Sequence, residues 1–114
     1  MEVIETKIDT GSEEYKKNFD SMKALVDDLR GELKKARDDR SEKARKRIEE
    51  VGKLPVQKRL DLLLDKNTPF LEIGALAAKD MYDGKVYGAG SIAGIGIVEG
   101  REIFVHANDP MIKG

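Results

Sequence analysis

The sequence contains no cysteine and only one histidine, His106. Without cysteine the chain cannot form a disulfide framework, supply a thiol nucleophile or build a thiolate metal site. A single histidine without cysteine also excludes the common zinc sites and a thiol–histidine dyad within this chain. A histidine in an apolar strand is usually hydrogen-bonded rather than catalytic. We therefore predict no metal site and no catalytic residue among these 114 residues.

The sequence also lacks long apolar runs and an excess of either charge. No run approaches the roughly 18 apolar residues that a membrane-spanning helix needs, and no positively charged start precedes an apolar segment. The 21 basic and 22 acidic side chains nearly cancel, so net charge favours neither nucleic acid nor an anionic membrane as a partner. These features predict a soluble, unsecreted protein.

Core-forming residues are few and unevenly distributed. Aromatic residues make up only 5% of the chain and charged residues 38%, which is little material for an independent core. Residues 34–50 are mostly charged, whereas residues 60–105 are mostly apolar. We therefore predict two unlike parts, a helical segment over residues 1–51 and a folded region over residues 52–114.

A long helix is predicted from Ser12 onwards. Ser12 can cap it, and acidic residues follow in its first turn. Apolar residues then recur at spacings of three and four and form a narrow apolar stripe, namely Tyr15, Phe19, Met22, Val26, Leu29, Leu33 and Ala36. The stripe indicates either a helix packed on its own protein or a helix that binds a partner.

The following charged region, 34–50, is predicted to continue as a basic helix. It is interpreted as a solvated face supported by ion pairs such as Asp39 with Lys43 and Glu42 with Lys46. Contact of its cations with phosphate is a minor alternative. Gly52 is predicted to end this helix, and Pro55 to start the next.

The middle of the chain is predicted to alternate short elements and turns. Leu60, Leu63 and Leu64 form the apolar face of a short helix, and residues 70–73 form a strand or a helical turn. Turns are predicted at residues 66–69 and 82–84, and residues 75–78 favour a helix.

Glycines then occur at positions 88, 90, 94, 96 and 100. Their spacing does not fit the dinucleotide-binding fingerprint, because a strand rather than a helix follows Gly100. Glycines within a strand often mark close packing, and Gly100 suits the left-handed position of a hairpin loop. We therefore predict a packed hairpin, with Ile95 and Ile97 on one strand and Ile103 and Val105 on the other.

Polar residues follow the second strand of this hairpin. Asn108, Asp109, Lys113 and Gly114 lie where open-faced folds place ligands, although an ordinary turn is the alternative. Because the sequence stops just after this turn, we expect the chain to be the opening part of a longer protein.

At this point six blocks of residues carry a family resemblance. They are Gly52-Lys-Leu54, Arg59-Leu-Asp-Leu-Leu-Leu-Asp65, Thr68-Pro-Phe-Leu-Glu72, Tyr87-Gly-Ala-Gly90, Gly94-Ile-Gly96 and Ala107-Asn-Asp109 with Lys113-Gly114. In this order they resemble the start of the carboxyltransferase subunit of biotin-dependent acyl-CoA carboxylases. The residues at 22–26 and 81–83 are most similar to the methylcrotonoyl-CoA carboxylase branch.

The resemblance implies an α+β or α/β fold, with N-terminal helices followed by the first hairpin of a truncated crotonase-like (ClpP/crotonase, ββα) carboxyltransferase domain. It implies transfer of a carboxyl group from carboxybiotin to an acyl-CoA through an enolate, stabilised by backbone amides beyond this chain. The implied partners are an acyl-CoA substrate, a biotin carboxylase or biotin carrier subunit that carries the biotin, and further copies of the carboxyltransferase subunit. The implied location is the cytoplasm, or alternatively the mitochondrial matrix.

Site residues follow from the same resemblance. Asn108, Lys113 and Gly114 are expected to bind acyl-CoA, with Lys113 meeting a phosphate, and this chain alone is expected to be inactive. His106 replaces the usual aliphatic residue of the family, which argues against an essential role. Two other functions remain open: a subunit of a biotin-dependent acyl-CoA decarboxylase, and a non-catalytic helical interaction module.

Overall fold

The computed structural model describes residues 1–112, which form three α-helices and a three-stranded antiparallel sheet. The helices are α1 (Glu13–Asp38), α2 (Glu42–Glu50) and α3 (Val56–Leu63), and the strands are β1 (Leu71–Ile73), β2 (Ser91–Val98) and β3 (Arg101–Asn108). The chain divides into two compact units, Met1–Glu32 and Leu33–Gly114. None of the helices in the described residues has the length and apolar character needed to cross a membrane.

The first unit consists of an extended start and most of α1. The predicted cap is confirmed, because the hydroxyl oxygen of Ser12 accepts a hydrogen bond from the Tyr15 N–H at 3.2 Å. The helix continues through Gly31, and none of its residues is buried within the described part of the chain. The apolar stripe is therefore present on the helix as predicted, and large members such as Phe19 and Met22 are exposed.

The predicted single basic helix over residues 34–50 is wrong. The helix α1 ends at Asp38, and Ser41 caps a separate helix by accepting a hydrogen bond from the Ala44 N–H at 3.2 Å. A serine at an N-cap offers the first turn an acceptor that no residue inside a helix can supply. The prediction that Gly52 ends the second helix is confirmed, because Gly52 has a φ of 69° directly after its C-cap.

The sheet has the order β1-β2-β3, and β2 pairs with both neighbours. The predicted hairpin is confirmed in β2 and β3, and its loop is formed by Glu99 and Gly100, both with positive φ. The carboxylate of Asp65 accepts the backbone N–H groups of both loop residues at 2.8 Å. The Asp65 N–H also donates to the Ile97 carbonyl at 2.8 Å, so the start of the turn after α3 is tied to the hairpin.

The core lies between α3 and one face of the sheet. It contains Val56, Leu60, Ile92, Val105 and Ala107, with Leu64, Phe70 and Ile103 packed against them. The prediction that Leu63 shares an apolar helix face with Leu60 and Leu64 is wrong, because Leu63 is 45% exposed while Val56 is buried. The helical period places Leu60 and Val56 four residues apart on the same face.

The opposite face of the sheet is also apolar but remains exposed in the described residues. Leu71, Ile95 and Phe104 are aligned across the three strands by the register, and Phe104 is 65% exposed. Ile95 therefore does not share the core face of Ile103 and Val105. Residues 75–78, for which we predicted a helix, form turns, and Ala78 has a φ of 60°.

Candidate functional site

The candidate site lies at the end of β3, in residues 108–112, which we call the strand-end segment. Asn108 is the last residue of β3 and pairs with Ser91. The chain then turns, because the Asp109 N–H donates to the Gly90 carbonyl at 2.9 Å and the Ile112 N–H donates to the Asp109 carbonyl at 3.2 Å. The turn that the sequence left open as the alternative at these residues is therefore present.

A cavity opens beside this segment. It is lined by Tyr82, Val86, Ala89, Gly90, Asn108, Asp109 and Ile112. Its walls are partly apolar and partly polar, which is the usual composition of small-molecule sites. The cavity thus brings Asn108 together with the glycine-containing turn at 87–90.

The backbone on one side of the cavity adopts an uncommon conformation. Tyr82, Ala89 and Gly90 have φ values of 52°, 53° and 76°, and the first two are not glycine. Non-glycine residues in the left-handed region cost energy and persist where their surroundings impose them, often at functional sites. The same conformation occurs at five non-glycine residues that do not line the cavity, so it describes the cavity wall and does not by itself mark a site.

Asp109 is buried and forms an ion pair that the sequence did not predict. Only 2% of Asp109 is exposed, and its Oδ2 accepts a hydrogen bond from Arg40 Nε at 2.8 Å. Its Oδ1 accepts the Met111 N–H at 2.9 Å, so both carboxylate oxygens have partners. A buried carboxylate requires such compensation, and Asp109 is therefore a structural member of the site rather than an exposed ligand-binding group.

Arg40 uses its whole guanidinium group. Besides Asp109, it donates to the backbone carbonyls of Asp39 and Ala36, each at 2.9 Å. Its guanidinium carbon lies 5.5 Å from the centre of the Tyr87 ring, within the range of a cation–π interaction. The interpretation of region 34–50 as a solvated face is therefore wrong for Arg40, whose side chain is only 6% exposed.

Tyr87 connects the linker between α1 and α2 to the turn at 87–90. Its hydroxyl donates to Asp39 Oδ2 at 2.8 Å. This hydrogen bond is the largest cause that raises the pKa of Tyr87 above its usual value of 10.0, followed by burial and the negative charge of Asp39; the cations Lys35 and Arg40 act in the opposite direction. Asp39 lies between the two helices, so its predicted helical pair with Lys43 is wrong, whereas the pair of Glu42 with Lys46 forms at 3.8 Å.

Two further arginines bind the strand-end segment. Arg47 in α2 donates from Nη2 to the Pro110 carbonyl at 2.7 Å, and Arg59 in α3 donates from Nη1 to the Asn108 carbonyl at 3.2 Å. Sequence reasoning missed both contacts, because the partners are 63 and 49 residues apart. The cap at Ser41 was a usable signal that the basic region is interrupted, but nothing local indicated what its arginines would bind.

The other predicted site residues are placed as follows. Asn108 is exposed at the cavity, whereas Lys113 and Gly114 lie outside the described residues. His106 is exposed on β3 opposite Ala93, on the face of the sheet away from the core. Within residues 1–112, no group of three or more histidine, cysteine, aspartate or glutamate side chains is arranged to hold a metal ion.

Comparison with known protein families identifies the family to which this chain belongs. The family described as the carboxyl transferase domain matches residues 47–114. The chain belongs to this family. The match includes α3, all three strands and the strand-end segment, and it confirms the resemblance derived from the six sequence blocks.

Individual members of the carboxyl transferase family agree with this assignment. The chain is 42% identical over 113 residues to the probable methylcrotonoyl-CoA carboxylase beta chain, mitochondrial, of Drosophila melanogaster, a match that covers 98% of this chain and 20% of that protein. It is 45% identical over 95 residues to the biotin-dependent 3-methylcrotonyl-coenzyme A carboxylase beta1 subunit of Mycobacterium tuberculosis, a match that covers 83% of this chain and 18% of that protein. The chain thus spans about a fifth of the length of these relatives.

A solved structure confirms the predicted fold. The beta subunit of geranyl-CoA carboxylase from P. aeruginosa matches with a TM-score of 0.84 and 36% identity, over 97% of this chain and 21% of that chain. The prediction of N-terminal helices followed by the first strands of a crotonase-like carboxyltransferase domain is therefore confirmed for this part of the fold.

Proposed function

We propose that this chain is part of the carboxyltransferase subunit of a biotin-dependent acyl-CoA carboxylase that acts on 3-methylcrotonoyl-CoA or a similar acyl-CoA. The observation that carries the proposal is the identity of 42% and 45% with subunits named as methylcrotonoyl-CoA carboxylases. The reaction would transfer a carboxyl group from carboxybiotin to carbon next to the thioester carbonyl, through an enolate.

The described residues suit a binding role within that reaction. Asn108 supplies an amide beside a partly apolar cavity, and Ala89 and Gly90 bring backbone close to the same space. An acyl-CoA arm combines amide groups with apolar segments, so such a lining fits it. Binding of acyl-CoA by Asn108, Lys113 and Gly114 is part of this proposal.

The partners and cofactor follow from the same assignment. Biotin would be carried by a biotin carboxylase or biotin carrier subunit, and the carboxyltransferase subunits would form a homo-oligomer. The enzyme would reside in the cytoplasm, or alternatively in the mitochondrial matrix. The name of the Drosophila relative describes that protein as mitochondrial. The division into a helical segment 1–51 and the opening of the carboxyltransferase domain at 52–114 is also proposed, supported by a family match that starts at residue 47.

The test uses the full-length subunit assembled with its biotin-bearing partner. With ATP and radiolabelled bicarbonate, we expect incorporation of label into 3-methylcrotonoyl-CoA. Geranyl-CoA is the second candidate substrate, because the geranyl-CoA carboxylase subunit matches at a TM-score of 0.84. Release of CO₂ from a carboxylated acyl-CoA without ATP would identify the decarboxylase alternative. Absence of transfer in both directions with every acyl-CoA would contradict the proposal.

A further inference from the structure

The strand-end segment is held from outside the sheet by side chains of two helices and of the linker between α1 and α2. Arg40 comes from the linker between α1 and α2, Arg47 from α2 and Arg59 from α3. Their hydrogen bonds end on three consecutive residues, namely Asn108, Asp109 and Pro110. We call these three side chains the arginine clamp.

The segment needs such support because of its position and composition. β3 is an edge strand in the described sheet, and its ladder ends at Asn108. Pro110 has no backbone N–H and can be anchored through its backbone only at the carbonyl oxygen. Arg47 donates to that oxygen at 2.7 Å. The location of the segment is therefore determined by the helices as well as by the sheet.

Arginine suits this task for a chemical reason. Its guanidinium group presents five N–H donors in a rigid planar fork, so that one side chain can bind a carboxylate and several carbonyls in fixed directions. Arg40 does this with Asp109, Asp39 and Ala36. A lysine ammonium at the same position would provide a flexible point charge without that fork.

We infer that Arg40, Arg47 and Arg59 are positioning residues, which hold the strand-end segment so that Asn108 lies at the substrate cavity. This inference rests on the proposed acyl-CoA function. It gives the charged helical region a role in substrate binding that does not require its cations to contact phosphate. The clamp acts through the backbone of Asn108 and Pro110 and through the carboxylate of Asp109.

The main test is the double variant Arg47→Met/Arg59→Met in the full-length carboxylase holoenzyme. Methionine keeps an apolar stem similar to that of arginine and removes the N–H donors. Because both arginine contacts are exposed, we expect little cost to the fold. We expect the KM for 3-methylcrotonoyl-CoA to rise about fivefold or more, with kcat within about twofold of the wild type. Arg101→Met is the matched control, because Arg101 is exposed at the opposite end of β3 and should leave both constants unchanged.

A second measurement does not depend on activity. Hydrogen exchange of a peptide that contains Met111 and Ile112 should be faster in the double variant than in Arg101→Met, since both amides bond to Asp109. If the wild-type holoenzyme carboxylates no acyl-CoA, the proposed function fails, while the exchange comparison still tests the clamp.

Three results would overturn the inference. The first is an unchanged KM in the double variant of an active enzyme. The second is a double variant in which kcat falls in proportion to the melting temperature while KM is unchanged. That result would indicate a merely structural role for the arginines. The third is exchange of the Met111 and Ile112 amides that is the same in the double variant and in Arg101→Met.

Discussion

Replacement of Gly94 by alanine should destabilise the protein through a steric conflict that the structure defines closely. Gly94 lies in the middle of β2, paired with Glu72 on one side and Val105 on the other. A Cβ atom at this position would lie 2.4 Å from the Leu71 carbonyl oxygen and 2.5 Å from Cζ of Phe70. Both distances are far below van der Waals contact, so neighbouring atoms would have to move.

The expected magnitude follows from what can move. The Phe70 ring packs against the core and is partly buried, so its shift costs core contacts. The Leu71 carbonyl belongs to β1, so its movement disturbs the pairing of β1 with β2. Overpacking a core by one methyl group typically costs about 1–3 kcal/mol, and alanine recovers up to about 1 kcal/mol through the unfolded chain. Because one of the obstructing atoms is backbone, we expect a cost near the upper end of that range and a net loss of about 2 kcal/mol.

The assay is thermal denaturation of the full-length protein. In a cooperative domain of about 150–250 residues, a loss of this size should lower the melting temperature by roughly 4–8 °C. Gly31→Ala is the matched control, because an alanine Cβ at this position in α1 would meet nothing within 4 Å outside its own stretch of helix. Alanine in place of glycine inside a helix should stabilise the protein by about 0.5–1 kcal/mol. Phe70→Leu combined with Gly94→Ala should recover part of the loss by removing the ring. A melting temperature of Gly94→Ala equal to that of the wild type would refute the reasoning.

Three further predictions follow from the site. Asp109→Ala should cost about 3–5 kcal/mol, because it leaves the buried Arg40 without its carboxylate, and a melting temperature near that of the wild type would contradict this. The Tyr87 phenol should titrate above its usual pKa, and Asp39→Asn should lower that pKa in ultraviolet difference spectra referenced to Tyr87→Phe. Because the folded-state pKa is raised, stabilisation by this hydrogen bond is complete below about pH 10 and is lost as the pH rises through the folded-state value; a normal Tyr87 pKa would argue against it. Lys113→Ala should raise the KM for acyl-CoA several-fold in the holoenzyme, and an unchanged KM would exclude the phosphate contact.

Local features of the fold were predicted correctly where the signal lies within a few residues. Ser12 caps α1, Gly52 follows the end of α2, and Gly100 forms the hairpin loop with positive φ. In each case one residue type supplies an acceptor or a backbone conformation that its neighbours cannot. The cap at Ser41 was equally local and was missed, because charge density in region 34–50 was taken to indicate a continuous helix.

The assignment of core faces required the structure. The sequence placed Ile95 and Ile97 on one strand of the hairpin and Ile103 and Val105 on the other, without assigning either pair to a face. In the structure Gly94 and Gly96 face the core, where side chains of Phe70 and Leu64 occupy the space beside them. Of the core-facing residues 92, 94 and 96 of β2 only Ile92 has a large apolar side chain, so periodicity gives a weak signal for that face.

The sequence by itself determined the family, the long first helix, the β2–β3 hairpin, and the location of Asn108 at the end of the hairpin. Only the tertiary structure decided that Asp109 is buried against Arg40, and that Arg47 and Arg59 bind the carbonyls beside it. Turn and cap signals act over a few residues and can be read in order along the chain. Arg40 and Arg59 bind groups that lie 69 and 49 residues away along the sequence. These contacts depend on how α2, α3 and the sheet pack, which no residue spacing encodes.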